Sequence, residues 1–196
     1  MSDDPPLVLV VEDERDLSEL YRMWLAESYR VRTAHDGRAA LSELDEDVDI
    51  VLLDRRMPDL SGDEVLDRIR ERGLDCRIAM VTAVEPDTDI VDMEFDDYLV
   101  KPVSEEELVR MVENLQVRDE YDDGVKQLFS LASKKALLES EKDPVALEAS
   151  DEYRELVEDL AELRTNLNEK LGRLSESDDL TLIYQDLARD VDDRDE

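Results

Sequence analysis

An alternation of two hydrophobic patterns constrains this chain more than any single residue does. Short, wholly or mostly apolar runs at 7–11, 50–53, 77–81 and 98–100, with a further strand candidate at 29–34, are separated by segments whose apolar residues recur every three or four positions. A β-branched run that is apolar at nearly every position reads as a parallel strand buried on both faces. The intervening segments read as helices with one apolar face. They carry Leu17, Leu20, Tyr21, Trp24 and Leu25; then Ala39, Ala40, Leu41 and Leu44 after an Asp36-Gly37 turn; then Val65, Leu66 and Ile69, ended by Gly73. A weak helix is expected over 86–93. A last one starts at the capping box Ser104–Glu107 and carries Leu108, Met111, Val112 and Leu115. Five strand–helix alternations imply an α/β fold, a five-stranded doubly wound parallel sheet with right-handed crossovers.

Reactive groups in such sheets gather at the carboxyl ends of the strands, where the strand order reverses. Here the first run ends in Glu12 and Asp13, the third in Asp54, the fourth in Thr82 and the fifth in Lys101. With strand order 2-1-3-4-5, the first and third strands are neighbours and three carboxylates crowd together. Like charges at close range are unfavourable unless a cation joins them, and oxygen-only donors suit Mg²⁺. Asp54 is then the nucleophile, Asp13 and Glu12 are metal-holding acids, Thr82 is a hydroxyl donor and Lys101 is a positive charge opposite the metal.

Four separated motifs carry a resemblance: Val11-Glu12-Asp13-Glu14, Leu53-Asp54-Arg55-Arg56-Met57-Pro58-Asp59-Leu60-Ser61-Gly62, Val81-Thr82-Ala83, and Asp96-Asp97-Tyr98-Leu99-Val100-Lys101-Pro102. Over residues 7 to about 116 the chain resembles the flavodoxin-like receiver domain of two-component response regulators. The resemblance implies phosphoryl transfer from a cognate histidine kinase to Asp54. It implies Mg²⁺ held by Asp13, by Asp54 and by the backbone carbonyl of Arg56. It also implies a switch in which Thr82 moves toward the phosphoryl group and Tyr98 turns inward. Glu94-Phe95 stand where the family often has Gly-Ala, a departure that bears on the switch face. The basic pair Arg55-Arg56 reads equally well as exposed loop charge, and the family lets the side chains at Arg56 and Val84 influence phosphoryl lifetime.

Residues 119–196 form a second, helical module after a receiver spanning 1–118. A helix over 119–139 is expected, then a polar loop over 140–143, with a further helix starting at Asp143-Pro144 or at Ser150-Asp151-Glu152. Tyr153, Leu156, Leu160, Leu163, Leu167, Leu171 and Leu174 repeat like a coiled-coil seam. The seam fits packing within one chain and a homodimer equally well. Leu180, Ile183, Tyr184 and Leu187 suggest one more short amphipathic piece, and a frayed end is expected from Asp190 onward. The stretch 129–139, with Glu152-Tyr153 and the leucines after it, resembles the HalX domain found after receivers in haloarchaeal proteins.

Charge limits the remaining classes. The chain has 56 acidic and 24 basic residues, net -32. Residues 1–118 hold 32 acids and 14 bases and residues 119–196 hold 24 and 10, so no single tail explains the excess. An even spread reads as adaptation to a salty, halophilic cytoplasm, because molar salt shortens the range of self-repulsion. Direct DNA binding through the second module is the alternative output. It is disfavoured by the module's net charge of -14 and by a basic content with no stripe beyond Lys134-Lys135. A turnover phosphohydrolase would want a second acid two residues after the nucleophile, where Arg56 stands. The lone His35 cannot build a zinc site, and the lone Cys76 cannot form an internal disulfide. No run is long and apolar enough for a membrane span and no secretory leader is evident, so a cytoplasmic location is expected.

Overall fold

A computed structural model describes residues 4–175. Five strands, β1 (Leu7–Val11), β2 (Arg30–Ala34), β3 (Ile50–Leu53), β4 (Arg77–Thr82) and β5 (Asp97–Val100), form one parallel sheet in the order β2-β1-β3-β4-β5. Helices α1 (Arg15–Leu25), α2 (Gly37–Glu43) and α3 (Gly62–Glu71) fill the first three crossovers. α4 (Glu105–Glu141) follows β5 and leads to α5 (Pro144–Glu148) and α6 (Asp151–Ser175). The doubly wound parallel sheet read from the sequence is therefore present, followed by a helical segment.

Strand side chains alternate between two cores, which is why the central strands β1 and β3 are apolar throughout, whereas the edge strand β2 carries Arg30, Arg32 and Thr33. Leu7, Leu9, Val11, Val51, Leu53, Ile78 and Met80 meet α2 and α3 through Ala40, Val65, Leu66 and Ile69. Val8, Val10, Ile50, Leu52, Ala79 and Val81 meet α1 and the start of α4 through Tyr21, Leu25, Leu108, Met111, Val112 and Leu115. The helix starts are chemically specified. Asp36 accepts from the Ala39 amide, Ser61 and Glu64 form a reciprocal capping box, and so do Ser104 and Glu107.

Two expectations need correction. The helix expected over 86–93 is a single 3₁₀ stretch, Thr88–Asp92, capped by Asp87. Four of the eight residues from Glu85 to Asp92 are acidic and β-branched Thr88, Ile90 and Val91 interrupt them, a poor composition for an α-helix. The second departure is in α4. The helix expected over 119–139 is not separate from the one carrying Leu108–Leu115, because α4 runs for 37 residues without a break. No proline lies between Glu105 and Glu141 and the single Gly124 is tolerated, so nothing in this stretch ends a helix.

The chain divides into two compact units between Gln116 and Val117, inside α4. In the second unit both candidate start signals are used. Asp143 caps α5 with Pro144 in its first turn, and the Ser150 hydroxyl accepts from the Tyr153 amide at the start of α6. Leu160, Leu167 and Leu174 of the seam are buried within the single chain. Leu167 lies over Gly124 of α4, where an added Cβ would come within 2.6 Å of its Cδ2. Lys170 pairs with Glu120 at 2.7 Å between the same two helices. Leu180, Ile183, Tyr184, Leu187 and the stretch from Asp190 lie outside the described residues. Among the described residues no helix is long and apolar enough to cross a membrane.

Candidate functional site

Strand register brings the site together. Val11 lies opposite Leu53 and Thr82 opposite Val100, so the residues that follow these strands emerge side by side. The Asp54 amide donates to the Val11 carbonyl at 3.0 Å, and the Lys101 amide to the Thr82 carbonyl at 2.8 Å. Glu12, Asp54 and Thr82 are all buried, and Asp13 is half-buried.

Glu12, Asp13 and Asp54 can each place one carboxylate oxygen within 4.8 Å of the others. Lys101 joins two of them, its Nζ lying 2.6 Å from Glu12 Oε2 and 2.5 Å from Asp54 Oδ2. Burial, the largest influence, raises the Glu12 carboxyl above its ordinary range, and contact with Lys101 offsets only part of that. Burial pulls Lys101 the other way, but its hydrogen bonds to Asp54 and Glu12 outweigh it and hold the ammonium above its ordinary value. Three clustered carboxylates against one ammonium leave an excess of two negative charges, and the donors are all oxygen. That set suits a divalent hard cation.

The other oxygen of Asp54 accepts from the Arg56 amide at 3.0 Å. Arg55 and Arg56 part company here. Arg56 is exposed beside the cleft lined by Asp13, Met57, Pro58, Ser61 and Val84. Arg55 is not an exposed loop charge: its side chain is only 11% exposed, and its Nε donates to both oxygens of Asp63, at 2.9 and 3.1 Å. Thr82 Oγ1 accepts from the Val84 amide at 3.3 Å, and the Tyr98 hydroxyl donates to the Val84 carbonyl at 2.7 Å. Tyr98 is half-buried, its ring 5.5 Å from that of Phe95. Phe95 itself packs on the sheet core, so the departure at Glu94-Phe95 places an aromatic against the candidate switch tyrosine. His35 Nδ1 lies 3.2 Å from the Glu12 carbonyl, on the rim of the site.

Three features were not read from the sequence. One is Gly62, where a Cβ would stand 2.2 Å from the Asp54 carbonyl oxygen and 2.8 Å from Arg55 Cα. Another is the Arg55–Asp63 pair. The third is Asp96, which binds Arg70 at 3.0 Å, Arg77 at 3.1 Å and the Ile78 amide at 2.8 Å, fastening α3, β4 and the start of β5 together. A glycine near a helix start was the only local signal for any of them. The ion pairs depend on tertiary distance and leave no spacing rule.

A doubly wound sheet with an acid cluster and a lysine at its carboxyl edge defines a class: α/β modules with a polar switch-point site. Residues 8–113 match the model of the response regulator receiver domain and residues 117–183 that of the HalX domain. The chain belongs to the response regulator receiver family, with a HalX domain following. A Haloferax volcanii protein described as "Putative transcriptional regulator" is 50% identical over 194 residues, which cover 95% of this chain and 32% of that protein. The response regulator SaeR of Staphylococcus aureus is 33% identical over 115 residues, 57% of this chain and 50% of its own. The chain thus spans a third to a half of the length of these curated relatives. The solved structure of chemotaxis protein CheY4 of Vibrio cholerae aligns with a TM-score of 0.53 at 26% identity, over 57% of this chain and 98% of that one. The receiver is a signalling domain, and the haloarchaeal relative agrees with the acidic, salt-adapted composition.

Proposed function

We propose that this chain is a phosphorylation-controlled switch in which Asp54 accepts a phosphoryl group from a cognate histidine kinase. The observation that carries the reading is Lys101 bridging Glu12 and Asp54, with Asp13 close enough to complete an acid cluster. A carboxylate oxygen of Asp54 attacks phosphorus as the P–N bond of the phosphohistidine breaks, and the departing imidazole takes up a proton. Lys101 offers its charge to the phosphoryl oxygens, and the Thr82 hydroxyl, at the end of the strand paired with β3, would donate to another. Asp13, Asp54 and the Arg56 carbonyl would hold Mg²⁺, with Glu12 contributing through water. When bound, the ion supplies positive charge against the incoming phosphoryl oxygens. Arg56 in place of a second acid leaves slow self-dephosphorylation rather than turnover.

The switch would run through Thr82 and Tyr98. We divide the chain functionally at Arg118, with residues 1–118 receiving the phosphoryl group and residues 119–196 reporting it through altered protein contacts in the cytoplasm, a homodimer among them. A DNA-binding output is a second reading. The description of the Haloferax volcanii relative favours it, and the net charge of -14 over residues 119–196 opposes it. Incubation with acetyl phosphate and Mg²⁺, read on a phosphate-affinity gel, tests the first reading: the parent chain should shift and Asp54→Asn should not. Equal labelling of both would overturn it. A gel-shift at high salt with micromolar protein tests the second.

A further inference from the structure

We infer that the Arg55–Asp63 ion pair is a positioning clasp for the loop that would hold the metal, an inference that rests on the metal site proposed above. The loop from Arg55 to Ser61 leaves the phosphoacceptor and re-enters α3 at Gly62. It carries Arg56, whose carbonyl belongs to the proposed ligand set. Such a loop must hold one carbonyl still: Met57 and Leu60 anchor it in the core while Arg56, Pro58 and Asp59 are exposed, and ordering free backbone costs about 1–2 kcal/mol per residue.

Three contacts close the loop at its neck. The Gly62 amide donates to the Arg55 carbonyl at 2.9 Å. The Arg56 amide donates to Asp54 Oδ1, so the peptide joining Arg55 to Arg56 is held on both sides. The Arg55 side chain then spans the neck and binds both oxygens of Asp63 in the first turn of α3. Gly62 makes this geometry attainable, because its missing Cβ lets the helix start lie directly on the Asp54 carbonyl. Within the loop, Asp59 adopts a left-handed backbone (φ 65°) and the Leu60 amide turns back to the Pro58 carbonyl at 2.8 Å. Arg56 itself sits at the neck, its peptide with Arg55 fixed by Asp54 and Gly62. The arginine is also well placed to act in strong salt, since a side chain only 11% exposed is screened less than a surface charge.

Neither residue belongs to the acid cluster, so the clasp acts on the metal through Arg56. Groups that orient ligands in this way change metal affinity by about tenfold to a hundredfold when removed. The test is Mg²⁺ alone, titrated calorimetrically into the full chain in molar KCl, for the parent, Arg55→Gln, Asp63→Asn and the exchanged pair Arg55→Asp with Asp63→Arg. The two single variants change the local charge in opposite directions. A plain field effect would tighten Mg²⁺ binding in Arg55→Gln and weaken it in Asp63→Asn. The clasp weakens both, by about tenfold in Kd, and the exchanged pair recovers most of the loss. Opposite shifts, or an unchanged Kd in both, would overturn the clasp while leaving the metal site standing. No Mg²⁺ binding by the parent would overturn the site and the clasp with it. If Arg55→Gln does not fold by circular dichroism, Arg55→Lys decides: it keeps the charge, so a field effect leaves Kd unchanged, whereas the clasp, deprived of the contact to both Asp63 oxygens, still weakens binding.

Discussion

Gly62 and Cys76 show how differently two small residues can be held. Gly62 is irreplaceable by geometry, because a methyl group would lie 2.2 Å from the Asp54 carbonyl oxygen, a backbone atom that cannot swing away. Gly62→Ala should cost about 1–3 kcal/mol from overpacking, and it should impair labelling by acetyl phosphate beyond its effect on stability. Urea unfolding alongside phosphate-affinity gels checks both. Cys76 is inert for a chemical reason. Burial pushes its thiol up to about 11, so at pH 8 it stays protonated when folded. A folded pKa above the unfolded one means the neutral thiol contributes fully below about pH 8.5 and its contribution falls as pH rises toward 11. A thiol-reactive dye at pH 8 should therefore label the native chain far more slowly than the urea-unfolded one. Comparable rates would contradict the assigned burial.

Elements were legible where their cause is local. The strands β1 and β3 were readable because both faces are covered, which leaves unbroken apolar runs such as Ile50–Leu53. The capping box at Ser104 was readable because Ser and Glu stand three apart. The candidate site residues stand out by their place at strand ends, and the sheet sets Glu12, Asp13, Asp54, Thr82 and Lys101 along one edge. The continuity of α4 was not legible, because a stretch without a breaker does not announce whether a neighbouring element will cut it. Arg55–Asp63 and the Asp96 network were not legible either, since each joins elements whose approach is decided by packing. In the second unit, α6 rests on the burial of Leu160, Leu167 and Leu174. Leu167→Ala should destabilise that unit by about 2–5 kcal/mol, the cost of a core truncation, and should open space above Gly124. Helical circular dichroism followed through thermal melting reads the loss, and a parent-like melt would show that the seam carries little of the unit's stability.

At the scale of the whole molecule, the net charge of -32 is the governing quantity. The acids are spread across both units, so their mutual repulsion acts on the entire chain. At 0.1 M salt that repulsion reaches about 10 Å, and at 1 M only about 3 Å. The melting temperature should therefore rise steadily as KCl goes from about 0.1 M to several molar, with most of the gain in the first molar step. A melting temperature independent of KCl would mean that the acidic composition is not what sets stability. The buried Glu12–Lys101–Asp54 contacts should hold through the same range, being shielded from the solvent ions that act on exposed pairs such as Arg22–Glu19.

Val84 links the two residues of the proposed switch with its two main-chain groups, the amide to Thr82 and the carbonyl to Tyr98. Each link is a single neutral hydrogen bond, with a net value of about 1 kcal/mol. Coupling carried by this route alone is therefore capped at about fivefold, since a free-energy difference of that size sets the ratio by which one end can bias the other. If the proposed switch runs through this yoke alone, it would act as a dimmer: phosphorylation would only grade the position of the tyrosine, and a sharp on-off response would have to be gathered elsewhere, from many such small biases acting on one assembly.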